Sequence, residues 1–197
     1  MSLYLRELQQ LMLDGKSTIS STRLGRLLGL TAAQVRKDFA NFGQFGYPGI
    51  GYRCEELIDE IKRILGTDRV WPVAIVGCGN LGQALLGYKG FQEQGFSLRA
   101  AFDIDPGLIG TEFHGLPVMA LDSMPEIVLR ESIQLAILAV PAKAASNVAD
   151  ALVKSGIIGV LNFAPMTLNL PKSVSVIGVD LAIELEQLAF AVVRKSE

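Results

Sequence analysis

At 197 residues, half of them hydrophobic and with a mean hydropathy of +0.36, the chain can bury one large core or two small ones and is too apolar to stay disordered. Gly, Pro or a charge interrupts every apolar run short of the roughly 18 residues a membrane span needs. The net charge of −2 divides unevenly: residues 1–53 hold seven Lys/Arg against three Asp/Glu, residues 54–197 eleven against seventeen, so a basic part suited to a polyanion precedes an acidic one.

The first ten residues carry no secretory pattern, and Cys54 and Cys78 are too few for a disulfide framework, so a reducing cytoplasm is expected. Residues 3–13 place Leu5, Leu8, Leu11 and Met12 on one face of a helix that Asp14-Gly15 ends. Ser20-Ser21 supplies an N-cap for a helix holding Leu24, Leu27 and Leu28, closed by Gly29. Thr31 caps a third helix, with Gln34 completing a capping box, that runs to about Phe42. Helix, glycine turn, helix is the helix-turn-helix pattern. Arg36 and Lys37, with Gln34 near them, give its second helix donors for phosphates and base edges, although an Arg-Lys pair on a helix is often only solvated. Gly46, Gly49 and Gly51 with Pro48 and two tyrosines then suit a hairpin or wing. A further helix over 55–65 turns Leu57, Ile58, Ile61, Ile64 and Leu65 inward, and Gly66-Thr67-Asp68 reads as a domain boundary.

Beyond it strands and helices alternate. The runs 73–76, 98–102, 135–140, 159–161 and 174–179 are continuously apolar or β-branched, as strands buried on both faces are. With helices between them, notably 142–154, they predict a doubly wound parallel α/β sheet. Gly77, Gly79 and Gly82 spell G-x-G-x-x-G between a strand and a helix, the pattern that seats a pyrophosphate on a helix N-terminus. Asp103 ends the next strand 21 residues beyond Gly82, where a carboxylate binds ribose hydroxyls and repels a 2′-phosphate, so NAD(H) is expected and not NADP(H). Cys78 fits the loop as a small side chain. His114, the only histidine, lies in a turn and reads as a surface residue, which leaves neither a Cys/His metal site nor an evident acid-base catalyst. The closing helix, 181–194, is apolar on most sides, as a helix covered by a second subunit or domain would be.

The chain resembles the Rex redox-sensing transcriptional repressors along nearly all its length. The matches include SS-x-x-L-x-x-L-L-G-L-T-A-A-Q-V-R-K-D-F, G-x-G-N-L-G-x-A-L-x-x-Y-x-G-F, F-D-I-D-P, V-P-A, N-F-A-P and V-D-L-A-x-E-L. The resemblance implies a winged-helix DNA-binding domain over 1–66, a Rossmann domain for NADH and NAD+ over 67–179, and a helix over 180–197 exchanged within a homodimer. It implies a repressor, not an enzyme, that leaves a palindromic double-stranded operator when NADH rises. Cofactor contacts would fall on Gly77, Cys78, Gly79, Asn80, Leu81, Gly82, Tyr88, Asp103, Asp105, Val140, Pro141, Asn162, Phe163 and Ala164. DNA contacts would fall on Ser20, Ser21, Gln34, Arg36, Lys37, Tyr47 and Gly49. A switch would involve Arg6, Tyr88 at the mouth of the pocket, and Asp180. The wing departs from the family where Pro48 stands in place of a basic residue, and Arg53 just beyond is the cation left to compensate. An NAD-dependent oxidoreductase, or an NAD(H)-binding relative with weakened DNA binding, are the alternative functions.

Overall fold

The computed structural model describes residues 1–41, 43 and 45–194. Two units divide the chain, Met1–Arg69 and Val70–Glu197.

The first unit is built on α1 (Ser2–Leu13), α2 (Ser21–Leu28), α3 (Ala32–Ala40) and α4 (Cys54–Leu65), with two short strands, β1 (Thr18–Ile19) and β2 (Tyr52–Arg53). Spacing of three and four brings Leu5, Leu8 and Leu11 of α1 inward, and Leu57 and Ile61 of α4. They close with Leu24, Val35 and Phe39 on one core, where the Phe39 ring lies 4.9 Å from Tyr4 and 5.1 Å from Tyr52. Each such aliphatic or aromatic side chain, once buried, contributes about 1.5–3 kcal/mol.

Three details differ from the sequence reading. Met12, Leu27 and Leu65 face outward, because the apolar stripes of these helices are narrower than the run of apolar letters. Ser20 and Thr31 do cap α2 and α3, accepting from the Arg23 and Gln34 backbone N–H groups. The Gln34 side chain, however, does not turn back to complete the box; it donates to Asp38 Oδ1 at 2.6 Å. The structure ends α3 at Ala40 with Asn41 as its cap, and the expected end at Phe42 lies outside the described residues. The third detail is β1, which pairs antiparallel with β2 through Thr18–Arg53 and Ile19–Tyr52. Together with a bridge between Tyr47 and Gly51 it anchors the wing. The unit is a winged helix-turn-helix.

The second unit alternates, as expected: β3 (Trp71–Val76), α5 (Asn80–Leu86), α6 (Gly90–Glu93), β4 (Phe96–Asp103), β5 (Glu112–Phe113), β6 (Leu116–Ala120), α7 (Met124–Arg130), β7 (Leu135–Leu138), α8 (Ala142–Lys154), β8 (Gly159–Asn162), β9 (Ser175–Gly178) and α9 (Leu181–Val193). One sheet takes the order β5-β6-β4-β3-β7-β8-β9, parallel except for the β5–β6 hairpin. That hairpin turns at His114, which is exposed with φ 52. Strand β7 is shorter than the expected 135–140, and Ala139 and Val140 leave the sheet. The chain reverses direction across the sheet at β3, with β4 on one side and β7 on the other. In a parallel sheet that reversal opens a crevice beyond the carboxyl ends of the strands. Ala145, Val148, Ala149 and Leu152 of α8 bury one face of the sheet, whereas α9 buries none of its residues within the unit.

Candidate functional site

The crevice at the ends of β3, β4 and β7 is a cavity of about 440 Å³. Its floor is the glycine loop, and the three glycines are there for different reasons. Gly77 has φ +95, and a Cβ there would stand 2.4 Å from the Ala139 carbonyl oxygen. A Cβ on Gly82 would stand 1.9 Å from the Gly77 oxygen, so α5 could not pack against the strand. Gly79 is unlike both. Its backbone is ordinary, at φ −69, and a Cβ there would meet nothing within 4 Å. Neither conformation nor packing requires glycine at 79; as the N-cap of α5 it suits the helix start, and it leaves the backbone open to the close approach of a ligand. Asn80 and Leu81 line the cavity beside it, at the N-terminal end of α5.

Asp103 does something the sequence does not disclose. Its Oδ2 accepts from the Cys78 backbone N–H at 2.6 Å, and its Oδ1 accepts from the N–H groups of Ile104 and Asp105. The carboxylate therefore ties the glycine loop to the exit of β4, with most of its acceptor capacity engaged while it still lines the cavity. Asp105, exposed on the same wall, spends Oδ1 on the Gly107 N–H. Gln83, which carries no signal in the sequence, also holds the loop, donating to the Cys78 carbonyl at 2.9 Å. Cys78 itself is buried beneath the loop. Its thiol is pushed up to about 11, by burial first and by the Asp103 charge second, and it donates to the Phe102 carbonyl.

Val140 and Pro141 after β7 and Phe163 after β8 complete the wall. Asn162 and Ala164 do not reach it. Asn162 is 2% exposed, and its amide is used within its own loop, donating to Ala164 and Met166 carbonyls and accepting from the Ala164 N–H. Both residues line a neighbouring cavity of about 610 Å³ with Asp180 and Glu184. Asp180 caps α9, accepting from the N–H groups of Ala182 and Ile183. Tyr88 is not at the mouth of the glycine-loop cavity; it stands edge-on to Phe91 in a separate hollow that His114 also lines. The titratable side chains that line the glycine-loop cavity, among the described residues, are Asp103 and Asp105.

In the first unit the helix-turn-helix leaves Arg36 and Lys37 exposed on α3, with Arg23 and Arg26 exposed on α2. Arg36 Nη1 donates to Ser21 Oγ at 3.1 Å, which joins the two helices at their outer surface. Ser20 is committed to its cap and Gln34 to Asp38. Gly49 stands exposed in the wing with φ +79. Tyr47 and Arg53 of the wing both engage Glu56 of α4. Arg6 is exposed on α1. No helix among the described residues is long and apolar enough to cross a membrane.

Comparison with known proteins agrees with both halves. Residues 68–166 match the family model described as "CoA binding domain", and residues 1–40 the one described as "Putative DNA-binding protein N-terminus". Over 194 residues the chain is 44% identical to a redox-sensing transcriptional repressor of Carboxydothermus hydrogenoformans, covering 98% of this chain and 93% of that protein. The solved structure of the repressor RSP with beta-NAD+ and operator DNA superposes with a TM-score of 0.93 at 36% identity, covering 99% of this chain and 90% of the other. The same repressor with beta-NADH gives 0.89 at 35%, covering 99% and 91%.

Proposed function

The chain belongs to the Rex family of redox-sensing transcriptional repressors, and we propose that it binds a palindromic operator through α3 and the wing and releases it when NADH fills the crevice of the second unit. The observation that carries this reading is the glycine loop at the carboxyl ends of the strands, where Gly79 leaves the backbone at the start of α5 open to a ligand, in the same chain as an exposed Arg36-Lys37 pair on a recognition helix. The cradle fits a dinucleotide: open backbone for a pyrophosphate, two carboxylates at the β4 exit for a ribose, and Val140, Pro141 and Phe163 for the rest. Asp105 takes the ribose hydroxyls, because Asp103 is already tied to the loop.

Several assignments complete this reading. The winged helix spans 1–66, the cofactor domain 67–179 and a dimerisation helix 180–197, and a homodimer acts in the cytoplasm. Ser20, Ser21, Gln34, Arg36, Lys37, Tyr47 and Gly49 face the operator. Arg6, Tyr88 and Asp180 form the switch. The protein binds its dinucleotide without turning it over, a reading supported by relatives that are transcriptional repressors. A mobility shift on a palindromic duplex tests the whole. NADH should release the DNA and NAD+ should not; equal responses to both cofactors would overturn the proposal.

A further inference from the structure

Wings of DNA-binding domains meet phosphates with cations, and the described wing residues of this chain hold one, Arg53. Arg53 stands at the end of β2 and is also the N-cap residue of α4, and its guanidinium is already held on two sides. Nη1 donates to Glu56 Oε1 at 3.0 Å, and the guanidinium carbon lies 4.7 Å over the ring of Tyr47. The Tyr47 hydroxyl in turn donates to Glu56 Oε2 at 3.1 Å. Glu56 therefore closes a ring of three side chains on the exposed surface of the wing. The Arg53 and Glu56 side chains are 54% and 48% exposed, so the pair adds little to folding. Its electrostatic consequence outside the protein is larger, because a cation paired with a carboxylate offers no net charge to exchange for the counterions of DNA.

We propose that Glu56 is an affinity-setting residue, which competes with DNA phosphate for Arg53 and holds operator affinity below what the wing could supply. The proposal rests on the DNA-binding reading above and goes beyond it. Glu56 is isosteric with glutamine, which keeps an acceptor for Tyr47 and removes the charge. In Glu56→Gln the wing gains one uncompensated cation per subunit. Binding should tighten about fivefold, the scale of one exposed ion pair, and the slope of log affinity against log salt should steepen by about 0.9 for each wing engaged.

The test is fluorescence anisotropy of labelled duplex across a salt series, on a palindromic operator and on unrelated sequence. It compares the wild type, Glu56→Gln, Arg53→Ala and the double variant, with circular dichroism confirming that each is folded. The expected result is a gain from Glu56→Gln on both duplexes that disappears when Arg53 is also removed. Unchanged or weaker binding in Glu56→Gln would overturn the proposal, and weaker binding would show that Glu56 aims Arg53 at the phosphate. An undiminished gain without Arg53 would also overturn it, leaving only general charge. Lys37→Ala in the same series keeps the two readings apart. If it binds as the wild type does, the recognition helix is misassigned, while the Glu56 comparison on unrelated duplex still stands or falls by itself.

Discussion

The three glycines of the loop make one prediction because their environments differ so sharply. Gly79→Ala should still fold, its melting temperature lowered by only a few degrees because alanine is a poorer N-cap for α5 than glycine, yet lose most of its affinity for NADH and NAD+, since the new methyl stands in open space on the cradle. Gly77→Ala and Gly82→Ala should fail to accumulate as folded protein, because each forces a Cβ into a backbone carbonyl. Titration calorimetry beside thermal melting separates the two classes; a Gly79→Ala protein that binds normally would show that nothing approaches the loop there. The paired carboxylates separate in the same way. Asp103→Asn should cost stability as well as cofactor affinity, by about 1–3 kcal/mol, since the Cys78, Ile104 and Asp105 N–H groups lose a charged acceptor. Asp105→Asn should leave the melt nearly unchanged, weaken NADH and admit NADPH. If Asp103→Asn melts normally and Asp105→Asn discriminates normally, the roles given to the two aspartates are reversed.

At the scale of elements, the recognition helix has its own signature. Lys37→Ala should weaken operator and unrelated duplex alike and lower the salt slope by about one. Arg36→Ala should cost more, because Arg36 also fastens α3 to Ser21 of α2. Wild-type slopes in both variants would remove α3 as the reader. These elements were legible in the sequence because their signals are local: Ser20 and Thr31 before apolar spacing, unbroken apolar runs for strands covered on both faces, three glycines between a strand and a helix. What escaped was non-local, or too short and too interrupted by proline to show a pattern. Strand β1 is two residues long and exists only because β2, far along the chain, supplies its partner. The β5–β6 hairpin and α7 were hidden by shortness and by Pro117 and Pro125, residues that read as breaks yet sit where an antiparallel pair and a helix first turn admit them. A carboxylate at the end of β4 was visible; that it would face Cys78 N–H was not, since residue type does not say which donor is nearest. The half-formed capping box is the same lesson, with Asp38 one turn on outcompeting the Thr31 N–H for Gln34.

For the molecule as a whole, the helix that no described residue of its own unit buries carries the argument for assembly. Leu181, Leu185, Leu188 and Phe190 of α9 are 59–66% exposed, an apolar surface that a lone protomer has reason to cover. The same helix begins at Asp180, which the proposed switch uses, so the coupling of cofactor to DNA is tested there. A ligand shifts an equilibrium only by its differential affinity for the two states, and NADH and NAD+ differ only at the nicotinamide. The residues that distinguish them must therefore lie beyond the pyrophosphate loop. Asp180→Ala would remove the charge and the α9 cap together, confounding the two. Asp180→Asn separates them, since asparagine caps a helix as well as aspartate does and carries no charge. Operator affinity measured with saturating NADH and with saturating NAD+ should differ in the wild type by 5- to 150-fold, the span of an ordinary coupling of about 1–3 kcal/mol. In Arg6→Ala and Asp180→Asn most of that difference should vanish, while each cofactor still binds through Gly79 and the Asp105 wall. Linkage adds a check from the other side: in the wild type, operator DNA must weaken NADH by the same factor, and in both variants it should not. Variants that distinguish the cofactors as the wild type does would clear Arg6 and Asp180 of the role and leave the dimer interface as the carrier of the signal.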